Sequence, residues 1–191
     1  MRIDIDVPDG MSGDYEVSTF TVSKEEAEFE NLRAAIGHSS RYIDAGTYKK
    51  LSQLGEVVMS NTPAEIDDHR PLFYQVKIKK TETVLINGLG LGVALKEILK
   101  SETLKKVWII EKSPDVIKLV GPTYVKDPRV TIIEADAFTY KPPRGVRYGA
   151  VWHDIWNSIC GDNLPEMTRL HRKYGKRCDW QGSWCRELCR R

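Results

Sequence analysis

No stretch of this chain is apolar for long enough to cross a bilayer. A spanning helix needs about 18 consecutive apolar residues, and runs such as Val107-Trp108-Ile109-Ile110 and Ala150-Val151-Trp152 have only the length of strands. The N-terminus, Met1-Arg2-Ile3-Asp4-Ile5-Asp6, alternates apolar and acidic residues. It has neither the apolar block of a secretory signal nor the Arg-rich, acid-poor character of a transit peptide. Cysteine is absent from the first 159 positions, and Cys160, Cys178, Cys185 and Cys189 crowd the last 32. That distribution excludes the disulfide framework of a small secreted fold. A cytoplasmic protein with no membrane partner is the expectation. Internal repeats and low-complexity tracts are also absent, which excludes a solenoid.

Neither sign of charge dominates: 29 Lys and Arg stand against 27 Asp and Glu in 191 residues, a net charge of +2. One compact domain with a short N-terminal extension fits that length. Residues 168–191 are the exception, with eight basic side chains against Asp179 and Glu187. Such a tail forms a solvated helix face, or docks on nucleic acid, an acidic partner or a neighbouring subunit. His171, Cys178, Cys185 and Cys189 are weighed as a zinc set and not assigned to a metal.

The pattern changes near residue 80. Before it, Tyr15 to Val22 has the β-branched and aromatic content of a strand. Ser23 and Glu26 form a capping box for a helix with Phe29, Leu32, Arg33 and Ile36 at helical spacing and Gly37 as its left-handed stop. Residues 41–60 read as a strand pair or an irregular cap. Thr62, Pro63 and Glu65 open a second helix, with Ile66, Phe73 and Val76 as its buried stripe. Glu65, Asp67, Asp68 and His69 fall on its first turns, where they touch a ligand or simply suit the helix dipole.

From Thr83 onward, strands and helices alternate. Thr83–Asn87, Lys106–Glu111, Val130–Glu134 and 149–154 are nearly all apolar, as strands buried on both faces are. Helices are expected over 93–100, from Ser113 to Gly121-Pro122, and from a capping box at Asn163 and Glu166 to Gly175. Trp180, Trp184 and Leu188 predict a short amphipathic helix. Alternating elements mean a Rossmann-like, doubly wound α/β sheet, mainly parallel.

The informative segment is Val84-Leu85-Ile86-Asn87-Gly88-Leu89-Gly90-Leu91-Gly92, a buried strand running into glycines at alternate positions and then a helix. Glycines suit backbone that passes close to a ligand with torsions a Cβ forbids. A dinucleotide fingerprint spaces its glycines G-x-G-x-x-G, whereas position 93 is Val. The spacing here is G-x-G-x-G. At the end of the next strand stands Glu111. Asp136-Ala137 follows the third strand. His153-Asp154 arrives at the C-terminal edge of the fourth, where ligands of open α/β sheets bind.

On these residues the chain resembles the class I S-adenosylmethionine-dependent methyltransferases, nearest to their spermidine-synthase-like branch, over residues 83–156 and less clearly 48–82. The resemblance implies S-adenosyl-L-methionine as cofactor. Asn87, Gly88, Gly90 and Gly92 would meet its amino-acid end, Glu111 its ribose hydroxyls, and Asp136 and Ala137 its adenine. Asp154, with His153 as a second candidate, would act on the acceptor as base or orienting group. Neighbouring strand residues face opposite ways, so the two do not form a pair within a strand.

The departures matter. Spermidine synthases carry Asp in the Gly-rich loop where this chain has Leu91, and an Asp-Ser-x-Asp-Pro-like segment where it has Asp154-Ile155-Trp156-Asn157-Ser158. The Asn/Asp-Pro-Pro-Tyr/Phe and Pro-Cys motifs of DNA-methylating enzymes are missing, so nothing identifies a nucleic-acid base as acceptor. Strands five to seven are hard to place in 157–191, so the sheet is short or is completed by the N-terminal strands or another subunit, as in a homo-oligomer. The resulting division is an α+β extension over 1–80, a cofactor-binding core over 81–175 and a basic Cys/Trp-containing tail over 176–191. Methyl transfer near Asp154 to an unidentified acceptor is the expected function. The alternatives are a non-catalytic S-adenosylmethionine-binding module and a polyamine-synthase-like or cofactor-degrading enzyme.

Overall fold

The computed structural model describes residues 2–37 and 41–190. It contains two sheets. The first is antiparallel, with β1 (Gly10–Ser12), β2 (Tyr15–Val22), β3 (Gly46–Gln53) and β4 (Glu56–Ser60) in sequential order and α1 (Lys24–Ile36) between β2 and β3. A short connection, α2 (Pro63–Asp68) and α3 (Arg70–Lys77), leads to β5 (Thr83–Asn87), α4 (Val93–Ile98), β6 (Lys106–Glu111), α5 (Pro114–Tyr124), β7 (Val130–Glu134), β8 (Tyr148–His153), α6 (Asn163–Tyr174) and β9 (Cys178–Ser183). These five strands form a parallel sheet in the order β7-β6-β5-β8-β9.

The runs of apolar residues in β5, β6 and β8 are explained by burial on both faces. Val84, Ile86, Ile109, Ala150 and Trp152 pack on one side with Leu95 and Val120, while Leu85, Ile110 and Val151 pack on the other with Leu170 and Tyr174. The alternating N-terminal segment is also explained. Ile3, Ile5 and Val7 are buried in the first of these clusters, and Asn61 Nδ2 donates to Ile3 O at 2.8 Å. The acidic residues between them face out, with Asp6 paired to Lys96.

Several expectations are corrected. A fifth parallel strand exists: residues 178–183 pair with β8, and Trp180 stacks on Trp152 with centroids 6.1 Å apart and planes 5° from parallel. The amphipathic helix expected over 180–188 is therefore a strand end followed by turns. The helix begun at Pro63 breaks at His69, whose φ/ψ of −90°/0° ends one helix and starts the next with Pro71 in its first turn. Thr62 makes no side-chain cap: its Oγ1 accepts from Ser60 Oγ at 3.0 Å, and Glu65 turns back to accept Ser60 N–H at 2.7 Å. The helix from Ser113 runs through Gly121-Pro122 to Tyr124. The box expected at Asn163 and Glu166 is not made: Asn163 Nδ2 donates to Ser158 O, and Glu166 accepts from Trp156. The box at Ser23 and Glu26 is present, but Gly37 is right-handed (φ −79°), and Phe29, Leu32 and Ile36 face solvent. The fourth strand covers 148–153, one residue earlier than expected.

Candidate functional site

The C-terminal ends of β5, β6, β7 and β8 open on one cleft of about 530 Å³, a typical volume for a small-molecule site. Gly88, Gly90, Glu111, Asp136, Ala137 and Asp154 all line it. Asn87 and Gly92 lie just behind the loop, and His153 points away from it.

The loop is built by its neighbours. Gly88 N–H donates to Ile110 O, and Asp154 N–H donates to Asn87 O, both at 2.8 Å. At Gly88 φ is +100°, and a Cβ there would lie 1.9 Å from Asp154 O. Only glycine fits this crossing of the β5 and β8 ends. Leu89 N–H donates to Glu111 Oε2 at 2.8 Å, and Ser113 N–H to Glu111 Oε1 at 2.8 Å. The carboxylate thus clamps the turns on either side of it, and each oxygen keeps a further lone pair. Tyr124 Oη donates to Leu91 O at 3.0 Å, and burial pushes that hydroxyl's pKa up.

The first sheet also reaches the loop. Leu91 N–H donates to Met59 Sδ at 3.3 Å. The β3/β4 pairing shifts register between Leu51 and Ser52, beside Met59, and such bulges re-aim side chains. Met59, Val58 and Tyr15 line the cleft. None of the three was legible as a site residue in sequence, where residues 41–60 read as a strand pair or an irregular cap and Tyr15 as the start of a strand.

Asp136 Oδ1 accepts Phe138 N–H at 2.7 Å, and Oδ2 lies 3.1 Å from Lys112 Nζ. Burial works to raise its pKa, but the Phe138 N–H and the Lys112 cation outweigh it and hold the group low. Asp154 differs. Burial foremost, then the charges of Glu65, Asp68 and Glu111, push it up to about 8. Beneath it lies His69, fully buried edge-on to Trp152, with Nε2 3.8 Å from Asp154 Oδ2 and neither ring nitrogen hydrogen-bonded. Burial lowers His69 to about 4. Among the neighbouring acids, Asp68 pairs with Arg41 at 2.8 Å, and the half-exposed Asp67 pairs with Arg70.

His153 faces the other side of the sheet, as strand alternation requires. Its Nδ1 accepts from Asn87 Nδ2 at 2.7 Å, which leaves the proton on Nε2, 3.4 Å from Gln181 Oε1. Burial first, then His171 and the cations Lys173 and Arg186, lower it to about 3. His171 Nε2 lies 2.8 Å from Ser183 Oγ, and Cys178 Sγ donates to Tyr174 O. Across the cleft from the first sheet, Trp156 Nε1 donates to Glu166 Oε2 at 2.8 Å.

No family model matches the chain. Over 118 residues it is 32% identical to a polyamine aminopropyltransferase of Corynebacterium efficiens, covering 55% of this chain and 22% of that protein. Over 106 residues it is 31% identical to one of Hydrogenobaculum, covering 51% and 38%. The parallel five-stranded sheet, covered by helices on both faces, is Rossmann-like. The matched segments span about a fifth to two fifths of the curated relatives' length. Among solved structures, a spermidine synthase in complex with the transition-state analogue AdoDATO aligns with a TM-score of 0.42 at 19% identity, covering 76% of this chain and 44% of that one. The CcbJ methyltransferase from Streptomyces caelestis aligns at 0.44 and 18%, covering 61% and 46%.

Proposed function

We propose that the cleft binds S-adenosyl-L-methionine and that the protein transfers an alkyl group, the methyl in the first instance, from its sulfonium to an acceptor held at Asp154. The observation that carries the reading is the Glu111 carboxylate. It ends β6, lines the cleft and keeps unused lone pairs while it holds the glycine-rich turn. The donor set fits the cofactor: a diol needs such a carboxylate, Asp136 and Ala137 supply an acceptor and backbone for a purine edge, and the cleft volume accommodates an adenosyl group.

The sulfonium supplies an already activated carbon, so alignment is most of what the protein must add. Asp154 supplies the rest. With a pKa near 8 its carboxyl holds a proton at neutral pH, and the ionised fraction that grows as pH rises toward 8 takes the proton from the acceptor. The same acidic surroundings, with Glu65 and Asp68 behind it, favour a cationic amine as acceptor. Trp156, fixed by Glu166, forms the wall beside it.

A second reading, transfer of an aminopropyl arm, is favoured by the names of the curated relatives. Leu91 and Asp154-Ile155-Trp156 depart from the pattern of those enzymes. Calorimetric titration with S-adenosylmethionine, S-adenosylhomocysteine and NAD, on the protein and on Glu111→Ala, tests the site. Product analysis separates the reactions, since methyl transfer leaves S-adenosylhomocysteine and aminopropyl transfer leaves methylthioadenosine. Absence of adenosyl-ligand binding overturns both readings.

A further inference from the structure

Helix α1 presents its apolar residues to water. Phe29, Leu32 and Ile36 are 61%, 58% and 72% exposed, while the opposite side carries the buried Ala27 and the half-buried Asn31 and Ala34. The helix is capped and tethered despite this thin contact. Its capping box fixes the start, and Asn31 brackets Ile43 with two hydrogen bonds, Nδ2 to the carbonyl and Oδ1 from the N–H, each 2.8 Å. A helix already formed and tethered on its inner side loses less freedom on docking than an unfolded segment.

The spacing of the exposed residues defines what fits. Positions 29, 32 and 36 follow the i, i+3, i+7 pattern of a coiled-coil seam, with Glu28 and Arg33 on its two flanks. In a parallel pair of such helices, the flanking residue before one seam position faces the opposite flank five residues further along the partner. That spacing joins Glu28 to the partner's Arg33, twice by symmetry. An antiparallel pair over the same three residues sets the two Arg33 side chains against each other. Among the described residues Arg33 pairs with Glu30 and lies over the Phe29 ring, and both charged partners are more than half exposed, so the exchange costs little. Glu25 falls at the open N-terminal end of the seam, where both carboxylates turn to solvent.

We propose that α1 is a dimerisation helix: two copies of this chain pair in parallel through Phe29, Leu32 and Ile36, with reciprocal Glu28–Arg33 contacts. This rests on the helix alone and is independent of the function assigned to the cleft. The test is sedimentation of the full chain over roughly a hundredfold range of concentration, since a self-association must respond to mass action. The wild type is expected to reach twice the monomer mass. Leu32→Glu and Ile36→Glu, both outward positions, are expected to remain monomeric with unchanged circular dichroism. Glu28→Arg and Arg33→Glu alone weaken the dimer at least tenfold, and the double exchange restores it. A wild type that stays monomeric throughout overturns the proposal, as does a dimer indifferent to Leu32→Glu. A double exchange that fails to restore pairing overturns it as well.

Discussion

His69 Nε2 lies 3.8 Å from Asp154 Oδ2, in a site where burial drives the two groups in opposite directions. Asp154 rises to about 8, while His69, His153 and His171 fall to about 4, 3 and 4. The histidines are neutral in the native state down to about pH 4, whereas in the unfolded chain they bind protons below about 6.5. Stability therefore rises with pH across that window. Asp154 acts in reverse: the native state keeps a proton up to about pH 8 that the unfolded chain has lost, so stability falls as pH approaches 8. Glu65, also raised by burial, tilts the curve the same way. Urea midpoints measured from pH 4 to 9 are expected to peak near 6.5 and to lose about 2 kcal/mol by pH 8. In Asp154→Asn the alkaline limb flattens; a wild-type curve flat above 6.5 would show that the carboxyl is solvated.

Glu111→Ala removes the acceptor of two backbone N–H groups, those of Leu89 and Ser113. The expected cost is about 1–3 kcal/mol in unfolding free energy, and a similar loss in S-adenosylmethionine affinity by calorimetry. Unchanged affinity with lowered stability would leave Glu111 as a structural clamp alone.

Two glycines with similar torsions separate conformational strain from collision. Gly88 and Gly145 have φ of +100° and +79°, but a Cβ at Gly88 meets Asp154 O while one at Gly145 meets nothing within 4 Å. Gly145→Ala is expected to cost about 1 kcal/mol. Gly88→Ala should cost more than about 3 kcal/mol, because a backbone carbonyl cannot move aside. Thermal unfolding of the two variants makes the comparison, and equal losses would refute the crossing geometry.

Met59→Ala takes away the sulfur acceptor of Leu91 N–H. Hydrogen exchange at the Leu91 amide is expected to accelerate, with stability down by about 2 kcal/mol from the lost packing. No change in exchange would mean that the loop holds its own shape.

The parallel strands were legible because burial on both faces leaves runs of Val, Ile and Leu with no other reading. The alternate glycines were legible because their positions are dictated by backbone contact. Strand β9 was not: Cys-Asp-Trp-Gln-Gly-Ser carries no apolar run, since it sits at the sheet edge and buries Trp180 against Trp152 instead. The stripe on α1 had the right period but faces water, and period alone cannot say which side of a helix has a partner. Met59 and Trp156 enter the cleft through a register shift and a loop hydrogen bond, neither of which has a local signature.

The contacts between the two sheets bear on how the chain unfolds. Ser12 Oγ donates to Asp115 on α5 at 2.7 Å, Met59 accepts from the glycine-rich loop, and Ile3, Val17 and Leu51 share one apolar cluster with Ile86 and Ile109. Exposing either sheet strips the other of its core. The antiparallel strands and the parallel sheet therefore melt as one cooperative unit, with calorimetric and van't Hoff enthalpies in agreement, and the glycine-rich loop loses its shape only when the whole chain does.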